Sequence, residues 1–153
     1  MIAEHLRKIF PGTKLLADEK SLVEYSSDIT EAEPRLPSAV ILSEGVDDVV
    51  NAVRAASELK VSITPRCYNL NVGGLAIPAE GGIVLDLKGM NRIVSLDAEN
   101  MIAVIEPGVT QAQMKERLER DAPGLTIGYS LAPPETSILA NCIMDGLTNL
   151  SLK

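Results

Sequence analysis

The chain has 153 residues, enough for one core of ordinary size, and 46% of them are hydrophobic while 23% are charged. Its net charge of -7 repels nucleic-acid phosphates and anionic lipid headgroups, so neither a nucleic acid nor a membrane surface is an expected partner. No apolar run reaches the ~20 residues that span a bilayer, and the first residues lack a signal-peptide core, which predicts a folded cytoplasmic protein.

The first predicted element is a helix over residues 2–10, which Pro11-Gly12 ends. Beyond it, Leu15-Leu16 and the polar residues 26–37 predict an irregular lead-in that wraps over the rest of the molecule. We therefore expect residues 1–36 to form a helix and lead-in, and residues 37–153 to form the main domain.

A strand, a helix and a second strand follow the lead-in. Residues 39–42 predict a short buried strand, residues 46–60 a helix packed on a sheet with Ser43 as its cap, and residues 62–65 the second strand. This order predicts a right-handed βαβ crossover, which places the next loop at the carboxyl end of a parallel strand, where ligand-binding loops are common. The apolar residues at helical spacing are Val46, Val49, Val50, Val53, Ala56 and Leu59.

The loop after the second strand is the most informative stretch of the chain. Pro65-Arg66 ends the strand, a polar segment follows, and Gly73-Gly74 closes the loop. Glycines let the backbone approach a ligand, and successive backbone amides bind anions, so this pattern predicts a phosphate-binding loop. The chain contains neither G-x-x-x-x-G-K-[ST] nor G-x-G-x-x-G, which makes a P-loop or Rossmann site unlikely on sequence grounds. An ordinary surface turn remains the alternative, because Gly and Asn adopt positive φ in any turn.

Three more strands, at residues 83–87, 92–97 and 101–106, are predicted to form a further set together, the last two joined as a hairpin through Ala98-Glu99-Asn100. We expect Asp86, Asp97 and Glu106 to be strand-end or turn residues that meet solvent. The chain as a whole therefore predicts an α+β fold with α/β-like features.

A further helix is predicted from the spacing of Thr110 and Gln113, which is that of a capping box. It continues to about Arg120, and Pro123-Gly124 ends it. Residues 106–108, Glu-Pro-Gly, are interpreted as a structural lead into this helix.

The cysteines predict no metal site. Cys67 and Cys142 are too few and too far apart for zinc, and the single histidine, His5, lies on the opening helix. A redox pair and two buried space-filling thiols are the alternatives, and the second is favoured because free cysteine is among the most buried residue types.

Four motifs in order resemble the FAD-linked oxidases, a family that includes glycolate oxidase, D-lactate dehydrogenase flavoproteins and vanillyl-alcohol-oxidase-like enzymes. They are PSAVILSEGVDDVV at residues 37–50, EGGIVLDLKGMNRI at 80–93, VIEPGVT at 104–110, and PPETSI at 133–138 with Asn141. The resemblance covers residues 37–153 and is far more specific than one glycine-rich loop.

The resemblance implies the first FAD-binding subdomain of the PCMH-type fold, a small βαβ sheet plus mixed strands flanked by helices. It further implies that the loop wraps the diphosphate of FAD and that residues 133–141 lie along the ribityl chain and ring edge. The implied cofactor-binding residues are Pro65, Arg66, Cys67, Tyr68, Asn69, Leu70, Asn71, Val72, Gly73, Gly74, Pro133, Thr136, Ser137 and Asn141.

The chain departs from the family where glycines are expected. The usual Arg-Gly-Ala-Gly-Thr is replaced by residues 66–70, Arg-Cys-Tyr-Asn-Leu, and the usual Ser-Ile-Gly-Gly-Asn by residues 137–141, Ser-Ile-Leu-Ala-Asn. The Asn71-x-Gly73 portion resembles the vanillyl-alcohol-oxidase type of loop.

By this resemblance the chain is the FAD-binding portion of a flavin-dependent oxidoreductase acting on a small 2-hydroxy acid or alcohol. It would be a fragment or subunit that needs a substrate domain or partner chain, and no catalytic acid or base is predicted in it. The alternative is a degenerate flavin-fold module used for protein interaction. The missing glycines favour it, and the retained residues oppose it, namely Pro65, Arg66, Asn71, Gly73, Gly74 and Asn141. A half-built sheet leaves strand edges and apolar surface uncovered, so we expect a homodimer unless a partner covers them.

Overall fold

The computed structural model describes residues 2–70, 73–127 and 133–145. The chain divides into two compact units, residues 1–89 and residues 90–153. Over the described residues, no helix is both long enough and apolar enough to cross a membrane.

The first unit contains three α-helices, a 3-10 turn and four strands. Its elements are α1 (Ile2–Ile9), the 3-10 turn (Gly12–Lys14), β1 (Leu15–Leu16), α2 (Glu19–Glu24), β2 (Ala39–Leu42), α3 (Val46–Leu59), β3 (Ile63–Arg66) and β4 (Ile83–Asp86).

The four strands form one sheet in the order β1-β2-β4-β3. Strand β4 runs parallel to both β2 and β3, and β1 pairs antiparallel with β2. The prediction that β4 groups with the later hairpin was wrong, because β4 inserts between the two strands of the βαβ crossover. All four residues of β4 are buried, as expected for a central parallel strand covered on both faces.

Alternate residues of the strands enter two separate cores. On one face, Ile41, Ile83 and Leu85 pack with Leu6 and Phe10 of the first helix and its following residue. On the other face, Val40 and Val84 pack against Tyr25. This period of two follows from the pleat of a strand, and it uses both faces of the sheet to bury apolar surface.

Helix α3 differs from the sequence prediction in its cap and in its buried face. Its N-cap is Gly45, not Ser43, and the Asp48 carboxylate accepts a hydrogen bond from the Glu44 amide at 2.9 Å. The helix buries alanines on the sheet while Val46, Val50 and Val53 are exposed. Small side chains let a helix axis approach a flat sheet closely, which the spacing of the larger apolar residues did not reveal. The buried alanines are Ala52, Ala55 and Ala56.

The lead-in is more regular than predicted at its start. Helix α2 begins after Asp18, whose carboxylate accepts a hydrogen bond from the Ser21 amide at 3.0 Å, the geometry of an N-cap. Strand β1 joins the edge of the sheet, whereas residues 26–37 contain no helix or strand, as predicted.

The second unit contains strands β5 (Ile93–Asp97) and β6 (Ile102–Ile105) and helices α4 (Gln111–Asp121) and α5 (Ile138–Asp145). The strands pair antiparallel as the predicted hairpin. The predicted capping box is present at Thr110 and Gln113. The core of this unit lies on one face of the hairpin and is formed by Val109, Met114, Leu118, Ala122 and Ile138.

Candidate cofactor-binding segments

The predicted phosphate-binding loop lies in the first unit at the carboxyl end of β3. In the register of the parallel pair, Arg66 stands beside Asp86, and Asp86 in turn stands beside Leu42 of β2. Three parallel strands therefore end at one edge of the sheet, and the loop leaves from that edge, which confirms the predicted placement. Asn71 and Val72 lie outside the described residues.

Two of the described loop residues have left-handed backbone conformations. Gly74 has φ +71°, and Tyr68 has φ +58° at a position where the resembled family has alanine. A left-handed conformation costs a non-glycine residue about 1–2 kcal/mol, so Tyr68 carries backbone strain in this loop. Asn69, Leu70 and Gly73 are exposed, whereas Cys67 and Tyr68 are half-buried.

Arg66 is buried beneath the lead-in. Its side chain belongs to a residue only 7% exposed, its Nη1 donates a hydrogen bond to the Ser27 carbonyl at 3.2 Å, and its Cζ lies 4.9 Å from the centre of the Tyr25 ring. Burial lowers the pKa of this guanidinium, an effect that Tyr25 and Asp86 oppose. The arginine therefore joins the strand end to the lead-in.

Asp86 is also buried, which corrects the prediction that it meets solvent. The residue is 3% exposed, and Oδ2 accepts a 2.6 Å hydrogen bond from the Tyr25 hydroxyl. Its other oxygen accepts the Lys88 amide at 2.9 Å. Burial and the neighbouring Asp86 carboxylate raise the pKa of Tyr25 to about 12. The carboxylate needs these donors because an unpaired buried charge is costly.

Lys88 and Tyr25 are residues of this edge that the sequence did not identify. The Lys88 ammonium lies 3.2 Å from Asp86 Oδ2 and 3.4 Å from the Tyr25 hydroxyl oxygen, and its side chain is 50% exposed. Burial raises the pKa of the Tyr68 hydroxyl, Cys67 and Asp86 add to this effect, and Lys88 opposes it. A lysine two residues after a strand end carries no distinctive sequence signal by itself.

The second predicted segment, residues 133–141, lies in the second unit and is tied to the start of α4. The amides of Gln111 and Ala112 donate to the carbonyls of Thr136 and Pro134 at 3.1 and 2.8 Å. Two amides of the first helical turn, which have no partner within a helix, are satisfied in this way. The segment therefore has a fixed backbone.

Ser137 and Thr136 differ in what their hydroxyl groups contact. Ser137 is fully buried, donates to the Pro107 carbonyl, and accepts a hydrogen bond from the Ala140 amide at 3.0 Å, so it stabilises the start of α5. Thr136 is 5% exposed, and its Oγ1 has no hydrogen-bond partner among the described residues. A buried hydroxyl without a partner is a candidate contact for a bound molecule. Asn141 is half-buried on α5, and Pro133 is exposed.

Glu106 is buried in the same unit, which corrects a second prediction of solvent contact. Arg92 donates to Oε1 from Nε at 3.0 Å and from Nη2 at 2.6 Å, and its backbone amide donates to Oε2 at 2.8 Å. These three hydrogen bonds, two of them from the guanidinium to the same oxygen, lower the pKa of Glu106 and link the two ends of the hairpin. Asp97 is exposed, as predicted.

The two predicted segments offer different groups to a ligand. The first offers an exposed loop with left-handed turns, in which a Cβ added to Gly74 would make only ordinary contacts, at 3.8 Å from Ala32 Cβ and 4.0 Å from Thr30 Oγ1. The second offers the buried Thr136 hydroxyl. Within the described residues, no group of three His, Cys, Asp or Glu side chains could hold a metal ion.

Comparisons with known proteins agree on one family. Residues 37–152 match the family described as FAD binding domain. Glycolate oxidase subunit GlcD of Bacillus subtilis (strain 168) is 38% identical over 125 residues, covering 82% of this chain and 25% of that protein. The flavoprotein subunit of 4-cresol dehydrogenase (hydroxylating) of Pseudomonas putida is 30% identical over 131 residues, covering 83% of this chain and 25% of that subunit.

The fold is also found among solved structures. A crystal structure of p-cresol methylhydroxylase with substrate bound matches with a TM-score of 0.83 at 27% identity, covering 93% of this chain and 28% of that one. The chain therefore spans about a quarter of the length of the relatives that it matches.

Proposed function

Because the chain belongs to the FAD binding domain family, we propose that it is the FAD-binding portion of a flavin-dependent oxidoreductase. The proposed substrate is a small 2-hydroxy acid or alcohol, and the proposed enzyme is completed by a substrate domain or a partner subunit. Bound flavin supplies the chemistry of accepting a hydride or its equivalent from a substrate carbon, while the protein supplies binding and orientation. A cytoplasmic location and self-association belong to the same proposal.

The observation that carries this proposal is the placement of the loop. It leaves the carboxyl end of the parallel strand β3, its described residues include the left-handed Tyr68 and Gly74, and it ends in paired glycines, within the residues that match the family. In the proposed site, the amides of residues 67–74 donate to the diphosphate, and Pro65 sets the direction in which the loop leaves β3.

The second segment has a complementary role in the proposal. Thr136 offers a buried hydroxyl to the ribityl chain or ring edge of the flavin, and Ser137 fixes the backbone that presents it. Asn141, on the first turn of α5, is the third proposed contact of this segment.

The substrate class rests on the relatives. Glycolate oxidase subunit GlcD and D-2-hydroxyglutarate dehydrogenase of Stutzerimonas stutzeri (strain A1501) both carry 2-hydroxy acids in their names, and the second is 29% identical over 118 residues. Two buried acids of the described residues, Asp86 and Glu106, already bind Tyr25, Lys88 and Arg92, so we assign neither of these two a catalytic role; a third, Asp28, lies in the lead-in.

A degenerate interaction module is the second candidate. Three observations favour it: the strained Tyr68 where the family has alanine, the burial of Arg66, and the side chains in place of loop glycines. These same residues are compatible with a binding loop of altered geometry, so the two candidates separate by whether FAD binds.

The test is the visible spectrum of the purified chain before and after addition of FAD, with Gly74→Ala as the site variant. Flavin bands in the purified chain, or a spectrum of added FAD that differs from that of free FAD, support FAD binding. A purified chain that is colourless and leaves the spectrum of added FAD unchanged favours the module. Gly12→Ala is the matched control, because Gly12 has φ +72° against +71° for Gly74 and has no atom within 4 Å of its added Cβ. We expect a similar loss of stability, about 1–2 kcal/mol, in both variants, but weaker FAD binding only in Gly74→Ala.

A further inference from the structure

At the edge of the sheet from which the loop leaves, the more exposed cation is Lys88, not the predicted Arg66. Arg66 is 7% exposed and is engaged with the Ser27 carbonyl and the Tyr25 ring, so a ligand arriving from solvent meets little of its guanidinium. Lys88 follows β4, the strand adjacent to β3, and its side chain is 50% exposed. A ligand in solvent can therefore reach the Lys88 ammonium more readily than the Arg66 guanidinium.

The Lys88 ammonium is held in a defined place. Asp86 Oδ2 lies 3.2 Å from it, and the Tyr25 hydroxyl oxygen lies 3.4 Å from it. The Tyr25 hydroxyl donates its hydrogen bond to Asp86, so its oxygen can accept one from the lysine. An ammonium group has three donors, and these two contacts leave donor capacity for a ligand on the exposed side.

The charge of this lysine persists at physiological pH, because Asp86 and Tyr25 raise its pKa against the opposing effect of burial. Lys88 also lies near the residue from which the loop leaves. Its ammonium is 3.2 Å from Asp86 Oδ2, and Asp86 is paired in register with Arg66 at the end of β3. A fixed cation therefore stands at the edge where the loop begins.

We infer that Lys88 binds the diphosphate of FAD, that Asp86 and Tyr25 position its ammonium group, and that Arg66 instead secures the root of the loop against the lead-in. This inference rests on the proposed FAD binding. It assigns part of the site to Tyr25, which precedes the residues that match the family.

The experiment compares Lys88→Gln with Lys115→Gln, which removes the same charge from an exposed position on α4 in the other unit. FAD affinity is measured by the change in flavin emission, and ADP affinity by displacement of FAD. The chain contains no tryptophan, so the flavin signal has no tryptophan background. We expect Lys88→Gln to weaken both ligands about tenfold at low salt, as for loss of a charge-assisted hydrogen bond, and Lys115→Gln to change neither.

Two further measurements separate positioning from folding. Lys88→Arg should retain FAD affinity within about threefold, because the charge remains, and the defect of Lys88→Gln should shrink at high salt, because ions screen the attraction. Tyr25→Phe should weaken FAD binding about threefold, because Lys88 is less well positioned. Its FAD affinity should still fall with added salt as in the wild type, because the charge of Lys88 remains, whereas that of Lys88→Gln should depend less on salt.

The outcomes distinguish the two proposals. If the wild-type chain binds FAD and Lys88→Gln binds it within twofold, or if Lys115→Gln is equally impaired, the assignment of Lys88 is wrong while the proposed function stands. If the wild-type chain binds no FAD, the proposed function and the assignment of Lys88 both fail.

Discussion

The two units of this chain bury their sheets differently. In the first unit, helices and the lead-in cover both faces of a four-stranded sheet, and β2 and β4 contribute residues to cores on either side. In the second unit, a two-stranded hairpin has one face against α4 and α5, and Val94, Ile102 and Val104 on the hairpin are exposed. A sheet covered on both faces can be stable by itself, whereas a two-stranded sheet needs further cover.

The two units also hold their predicted cofactor-binding segments in place differently. The loop of the first unit extends from a sheet that is buried on both faces, and its root is secured by Arg66, Tyr25 and Asp86. The second segment depends on hydrogen bonds to the first turn of α4. We therefore expect substitutions in the first sheet to affect stability strongly, and substitutions on the hairpin surface to affect association instead.

The largest expected effect on stability comes from replacing an isoleucine in the first sheet, and an isoleucine in the second sheet provides the comparison. Ile83 on β4 is 0% exposed, and Ile102 on β6 is 57% exposed. Ile83→Ala should lower the free energy of unfolding by about 2–5 kcal/mol, because it leaves a cavity in a packed core, whereas Ile102→Ala should change it by less than about 0.5 kcal/mol. Chemical denaturation monitored by circular dichroism measures both changes. Equal losses of unfolding free energy in the two variants would contradict the difference in burial between the two sheets.

Local patterns predicted much of this fold. The hairpin of β5 and β6, the capping box at Thr110 and the loop after β3 depend on residues close in sequence, and all three are confirmed. The family, the PCMH-type fold and FAD as the cofactor, each implied by four ordered motifs, are confirmed by the comparisons.

The errors concern contacts between residues distant in sequence. Asp86 was expected in solvent because its partner, Tyr25, is 61 positions away, and only the folded chain brings the two together. The place of β4 between β2 and β3 is likewise a property of sheet order, which hydrophobic periodicity does not encode. The same limit hid Lys88, whose position depends on that carboxylate and that tyrosine.

A pH experiment tests the buried cluster of the first unit. The pKa of Tyr25 is raised to about 12 by burial and Asp86, above the ordinary value near 10 that applies in the unfolded chain. The stabilisation from the neutral hydroxyl is therefore complete below pH 10 and is lost as the pH rises from about 10 to 12. We expect the free energy of unfolding to fall by about 1–2 kcal/mol more in the wild type than in Tyr25→Phe over this range.

Urea titrations of the two proteins at a series of pH values provide the measurement. Because both proteins contain the same lysines and the other tyrosines, their difference reports Tyr25 together with its effect on the titration of Lys88. If the free energy of unfolding changes with pH in the same way in both proteins, the pKa of Tyr25 is not raised by burial and Asp86 in solution. The buried cluster would then contribute little to the stability of the first unit.

The smallest effect on stability is expected on the uncovered face of the hairpin, where a lysine should change association. Ile102→Lys places a charge among Val94 and Val104, and Ile29→Lys in the lead-in of the first unit makes the same substitution at 55% exposure against 57%. If apolar hairpin surface mediates self-association, sedimentation velocity will show the wild type and Ile29→Lys as dimers at high concentration and Ile102→Lys as a monomer.

Since both substitutions change the net charge equally, charge repulsion alone cannot explain a difference between the two variants. A wild-type chain that remains monomeric would show that the uncovered face does not self-associate, and dimers of all three proteins would place the contact elsewhere.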